Sequence, residues 1–196
     1  MRAPTFVLLT LGSVSLSCAG GTATSAPSAG AVPAVAADAS SFSAHGLTVQ
    51  RPDGWRFVSP DSTVPPDIVA MLQGPAGSHA LAPVVEIARR PLGAADSRTN
   101  PERILVTTAL ELQQTAQGFD LQASPTEITL AGNPASVLRA TVTELLPTGE
   151  EEKRALRIYA TVHGSQVWLV RCMGPQDGSA DADFDAVVGS LAFAQP

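Results

Sequence analysis

The chain has 196 residues, 44% of them hydrophobic, enough to bury one sizeable core. A formal net charge of −6 and a pI near 4.9 argue against a nucleic-acid partner, because no Lys/Arg cluster is present to neutralise phosphates. The densest basic spots, Arg89-Arg90 and Lys153-Arg154, are only pairs and read as solvated strand ends.

Residues 1–18 begin with a positive Arg2, continue through the apolar run Phe6 to Leu11, and finish in Ser15-Leu16-Ser17-Cys18. That is the layout of a secretory signal peptide, too short and too weakly apolar to span a bilayer. Export is expected. Cys18, behind a small residue and ahead of Ala19-Gly20-Gly21, resembles the lipidation site of a bacterial lipoprotein, which makes it the acylated first residue of the mature chain. One departure stands out: Leu16 lies two before Cys18, whereas the usual leucine lies three before it, where this chain has Ser15. An ordinary signal peptide cleaved near Ala19, giving a secreted protein, is the alternative.

Residues 19–41 are almost entirely Gly, Ala, Ser, Thr, Pro and Val, with Asp38 as the only charge. Such a stretch cannot bury enough apolar surface to offset its ordering entropy, so a flexible linker is expected, with a reach of about 25 to 30 Å. It would tether the domain to a membrane through the lipid on Cys18. By resemblance, Ala19 in place of an aspartate favours the outer membrane in a host that has one.

A single globular domain is expected over 42–196. Leu47 and Val49 share one face of a short strand, Pro52-Asp53-Gly54 turns, and Trp55 and Phe57 share a side of the next. Pro65-Pro66 ahead of Ile68, Val69 and Leu72 predicts a two-turn helix stopping at Gly74. Val84 to Arg89 is a strand. Asn100-Pro101-Glu102 marks a helix start, with Ile104, Leu105, Thr108, Ala109, Leu112 and Ala116 as its apolar stripe and Gly118 as its stop. Strands follow over 127–130 and 135–145, the latter after a turn at Gly132-Asn133-Pro134. The stretch 154–173 then reads as two strands joined at His163-Gly164-Ser165-Gln166. Four consecutive strands with short turns predict an antiparallel meander.

Within that hairpin, Leu156, Ile158, Ala160 and Val162 form the core row, while Arg157, Tyr159, Thr161 and His163 form the other. On the second strand both rows are bulky, Val167 and Leu169 against Trp168, Val170 and Cys172, which implies a central strand covered on both faces. A final helix carries Phe184, Val187, Val188 and Leu191 on one stripe, its acidic start (Asp181, Asp183, Asp185) complementing the positive helix end.

No catalytic constellation is present. His45, His79 and His163 are scattered, without HxH, HExxH or CxxC spacing, and neither GxSxG nor a glycine-rich phosphate loop occurs. Cys172 reads as a small buried apolar residue and Glu150-Glu151-Glu152 as a solvated rim. The aspartates near residue 181 lack the spacing of a calcium loop. No metal and no cofactor are expected.

The opening Gly46-Leu47-Thr48-Val49-Gln50-Arg51-Pro52-Asp53-Gly54-Trp55, the helix after Asn100-Pro101, the meander ending Val167-Trp168-Leu169-Val170-Arg171-Cys172 and the Phe184 helix running into Ser190-Leu191-Ala192-Phe193 resemble the PsbP-like superfamily over residues 42–196. The resemblance implies an α+β fold, an antiparallel β-sheet meander packed with helices as an α-β-α sandwich. It implies a non-enzymatic binding or assembly factor, and with an export signal the bacterial envelope lipoproteins of that superfamily fit best. No site residue carries over from it.

The function expected is therefore a non-catalytic, lipid-anchored envelope protein whose tethered domain binds another envelope protein. A sheet face left partly uncovered around Tyr159 and Trp168 is the candidate contact surface, the alternative being that Trp168 is core. The competing function is a secreted hydrolase or small-ligand-binding protein with a site not visible in sequence.

Overall fold

A computed structural model describes residues 36–59, 65–93 and 100–194, so Cys18, the leader and most of the tether lie outside the described residues. Ten strands and two helices occur among the described residues: β1 (Ser41–Ala44), β2 (Leu47–Gln50), β3 (Arg56–Phe57), β4 (Ile68–Gln73), β5 (Val84–Pro91), α1 (Pro101–Thr115), β6 (Asp120–Leu130), β7 (Asn133–Leu145), β8 (Glu151–His163), β9 (Gln166–Pro175), α2 (Asp181–Gly189) and β10 (Ala192–Phe193). Seven strands form one antiparallel sheet in the order β3-β4-β5-β9-β8-β7-β6, and β1-β2-β10 form a small second sheet. The meander over β6 to β9 stands as expected. So does the central position of β9, hydrogen-bonded to β5 on one side and β8 on the other.

The alternation along the strands sorts side chains into two cores. Leu138, Ala140, Leu156, Ile158, Ala160 and Val167 meet Ile104, Leu105, Ala109 and Leu112 of α1 on one face. Asn100 caps that helix, its Oδ1 accepting from Arg103 N at 2.8 Å, and Pro101 sits at the first turn where no donor is missed. On the other face Val137, Tyr159, Trp168, Val170 and Cys172 pack under the small sheet and under Phe184 and Val187 of α2. The result is the α+β sandwich expected, with α1 on one face of the large sheet and α2 with the small sheet on the other.

Four local expectations are corrected. Residues 68–73 are a strand, not a helix: Ile68-Val69-Ala70-Met71-Leu72 is a continuous apolar run with β-branched residues, and open edges of β3 and β5 lie on either side to pair with it. Runs of this length do not distinguish strand from buried helix, and tertiary pairing decided here. Structure also begins before residue 42, because Arg51 donates to Asp38 O at 2.9 Å and Ala39 O at 2.6 Å and β1 starts at Ser41. Helix α1 ends at Thr115 with an extended Ala116, and Gly118 (φ +60°) serves the following turn instead of the helix stop. The basic pairs are not both solvated: Arg154 is 2% exposed and bonds Ala82 O ahead of β5, and Arg89 is half-buried and bonds His45 O in the β1–β2 turn. No helix among the described residues is long and apolar enough to cross a membrane.

Candidate functional site

The row Arg157, Tyr159, Thr161 and His163 faces the small sheet and α2, and it does not form an open surface. Tyr159 is 6% exposed and Trp168 2%, both inside the core beneath that layer. The expectation of a contact surface at these two residues is therefore corrected: the second layer lands on them. Trp168 is boxed in by Phe193 of β10, 5.1 Å away between ring centroids, and by the Arg89 guanidinium, 6.0 Å from its ring centre. Phe193 in turn stacks on His163 at 5.0 Å. His163 Nε2 lies 2.9 Å from Ala194 O and Nδ1 lies 3.1 Å from Asn133 Oδ1, so this histidine fastens the residue after β10 to the β6–β7 turn.

Tyr159 leads in the opposite direction along the strand. Burial raises its phenol above the ordinary value, with Cys172 adding to the effect and a hydrogen bond from Arg157 opposing it. Arg157 is half-buried. Desolvation works against its charge, but Asp181, Tyr159 and Asp185 outweigh that and hold the guanidinium charged. It pairs with Asp181 and, at 3.3 Å, with Asp185. Directly across the ladder from Arg157 stands Cys172, whose thiol burial pushes up to about 12, with Arg157 opposing only in part. Such a thiol is not a nucleophile at neutral pH.

Beyond Arg157 the covering layer stops, and a cleft of about 160 Å³ opens on the same face of the sheet. Its walls come from four elements: Gln122 of β6, Arg139 of β7, Arg157 of β8, and Gln176, Gly178 and Asp181 from the β9–α2 turn and the start of α2. Arg139 is exposed and is Arg157's direct cross-strand partner, so two guanidinium groups share one end of the face. Gln122 arrives at a register shift between Leu121 and Ala123, a bulge of the kind that re-aims an edge-strand side chain.

Neither arginine of the cleft stood out in the sequence. The only signal was their shared parity with Tyr159 across two strands, and that becomes visible once the register Arg139 to Arg157 is known. Among the described residues no group of three or more His, Cys, Asp or Glu could hold a metal ion. The acidic turn instead serves the fold. Asp177 accepts from Ser179 N at 2.9 Å and pairs with His79 at 3.3 Å, Asp183 accepts from Trp55 Nε1 at 2.9 Å, and Asp181 and Asp185 hold Arg157.

This arrangement of sheet and helices is the PsbP-like fold. The chain is similar in structure to the cyanobacterial PsbP protein CyanoP of Synechocystis sp. PCC 6803, with a TM-score of 0.56 and 14% identity over 91% of this chain and 98% of that one. It is also similar to LpqN, a protein involved in cell envelope biogenesis of Mycobacterium tuberculosis, with a TM-score of 0.54 and 15% identity over 76% of this chain and 83% of that one. A Pseudomonas aeruginosa protein of unknown function is a further neighbour, at a TM-score of 0.50 and 17% identity over 80% of this chain and 96% of that one. No family model matches the sequence, and no curated protein does. At these identities the likeness establishes the fold and leaves the function to be argued from the chain itself.

Proposed function

We propose that this chain is a non-catalytic envelope lipoprotein, acylated at Cys18, whose tethered PsbP-like domain binds another envelope protein in an assembly or accessory role. The observation that carries the reading is the joining of a leader with the layout of an export signal, ending in Cys18, to a fold shared with LpqN, itself involved in cell envelope biogenesis. The chemistry of the described side chains supports it. Cys172 is held as a thiol, and His163 has both ring nitrogens engaged by oxygens of the fold. The acidic residues around α2 are committed to Trp55, Arg157 and a turn.

Two measurements test this. The intact mass of the protein isolated from the envelope should show a chain that begins at Cys18 and carries acyl groups, and a chain cleaved after Ala19 without lipid would refute the anchor. Cross-linking in intact cells should then recover the same envelope protein in repeated experiments. Turnover of an envelope substrate by the purified chain, abolished by a single side-chain replacement in the cleft, would refute the non-catalytic reading.

A further inference from the structure

We infer that the cleft between β6, β7, β8 and the start of α2 is a binding subsite for a single oxyanion, a carboxylate or phosphate group, anchored by Arg139. The cleft gathers hydrogen-bond donors from separate elements: the guanidinium groups of Arg139 and Arg157 and the side-chain amides of Gln122 and Gln176. Arg139 and Arg157 are directly opposite each other on neighbouring strands. Like charges in that position repel and destabilise a sheet, so two arginines there call for counter-charge. Arg157 has it, from Asp181 and Asp185. The Arg139 side chain makes no ion pair or hydrogen bond among the described residues, its main chain alone being paired in the ladder, although it lines a concave wall of a protein whose net charge is −6.

The division of labour follows from the geometry. Asp181 and Asp185 fix the Arg157 fork, which makes Arg157 a positioning residue. Arg139 supplies the uncommitted planar fork that matches two oxygens of one carboxylate or phosphate. Asp181 also lines the cleft, and its negative charge limits the site to one small anionic group, excluding a polyanion. Gly178 (φ +77°) lines the cleft beside Asp181, where a Cβ would stand 3.3 Å from a carboxylate oxygen.

This subsite depends neither on the lipid anchor nor on the protein partner, so its test stands apart from theirs. The full chain, expressed without export so that Cys18 stays unacylated, is titrated with sodium acetate and with inorganic phosphate while its 15N spectrum is followed, with chloride at equal ionic strength as the reference. Saturable shifts are expected at the side-chain amides of Gln122 and Gln176 and at Arg157 Nε. In Arg139→Gln, a surface change that relieves the repulsion with Arg157 and should not lower the fold's thermal midpoint, binding should weaken about tenfold or more, the size of one lost charge-assisted hydrogen bond. Co-sedimentation with phosphatidylglycerol vesicles, against phosphatidylcholine vesicles, distinguishes the source. Arg139-dependent sedimentation assigns the oxyanion to a lipid headgroup, and a response to the soluble ions alone assigns it to a free or peptide-borne group. Shifts that fail to saturate, that match chloride, or that persist unchanged in Arg139→Gln would overturn the inference.

Discussion

Replacing Arg154 by methionine tests whether this buried cation holds the sheet's far end to the loop before β5. Its Nη1 bonds Glu144 Oε2 at 2.8 Å, and its Nη2 bonds Ala82 O at 2.6 Å and Met173 O at 3.2 Å. Methionine fills most of the stem but leaves the Ala82 carbonyl without that donor. Breaking a buried pair costs about 3 to 5 kcal/mol, and the low end applies because Glu144 is 27% exposed and regains water. At about 2 to 4 °C per kcal/mol for a domain of this size, Arg154→Met should lower Tm by about 6 to 12 °C. Glu144→Gln keeps an acceptor beside Nη1 and both carbonyl bonds but removes the counter-charge of the buried guanidinium, so it should cost less than Arg154→Met to the extent that the carbonyl bonds carry the load. Amide exchange should rise at His79, whose N–H bonds Ala76 O, and at Gly74, whose N–H bonds Pro83 O, in the first variant more than in the second. A loss below about 1 kcal/mol in Arg154→Met, or equal losses in both variants, would refute the assignment of the load to the backbone carbonyls.

Three further outcomes are expected. In a chain carrying Cys18→Ala, Cys172 is the remaining cysteine, and its buried thiol, pushed up to about 12, should resist iodoacetamide until the protein unfolds; native labelling at the rate of a free thiol would contradict the burial. Gly174→Ala sets a Cβ 2.7 Å from Phe184 Cζ and 3.3 Å from Ala180 Cβ, so it should cost about 1 to 3 kcal/mol. Adding Phe184→Leu should recover part of that cost, and strict additivity of the two changes in denaturant melts would count against the clash. His45 is lowered by burial and by Arg89, so the fold keeps it neutral; its contribution to stability is complete above the unfolded value of 6.5 and is lost as pH falls through the lower folded value. His45→Asn, an αL-tolerant choice at φ 57°, should lose less stability than the wild type between about pH 7.5 and pH 5, and parallel losses would refute it.

Elements whose partners are close in sequence were readable from pattern alone. The β6–β9 meander is marked by alternation and by its turns: Gly164-Ser165 closes a two-residue hairpin inside the turn read at 163–166, whereas the turn read at Gly132-Asn133-Pro134 falls on Ala131-Gly132, both at positive φ, with Asn133 and Pro134 already paired in β7. Helix α1 is marked by Asn100-Pro101 and its stripe. What stayed illegible depends on contacts between distant residues. Strand β10 exists because Ala192 and Phe193 pair with β2, and Ser190 Oγ receives Gln50 N at 3.0 Å, 140 residues away. Arg154 reaches Ala82 across 72 residues, and Trp55 reaches Asp183 across 128. Composition cannot announce such meetings; 68–73 became a strand for the same reason, because its neighbours supplied ladders on both edges.

The row Arg157, Tyr159, Thr161, His163 shows why the contact surface was misplaced. Alternation identifies it as the polar row of β8, and a polar row normally faces water. Here a second layer covers most of it, which is tolerable only because the polar groups are partnered beneath it. Thr161 Oγ1 donates to Pro134 O at 2.8 Å, His163 sits between Asn133 and Ala194, and Tyr159 shares a hydrogen bond with Arg157. From Thr161 and Tyr159, both buried, the row passes to a half-buried Arg157, where the cover ends and the cleft begins. Residue type therefore does not decide which polar side chains meet a ligand on this face. The edge of the second layer does, and Asp181 and Asp185, read from sequence as complements to a helix dipole, stand at that edge and hold Arg157 there.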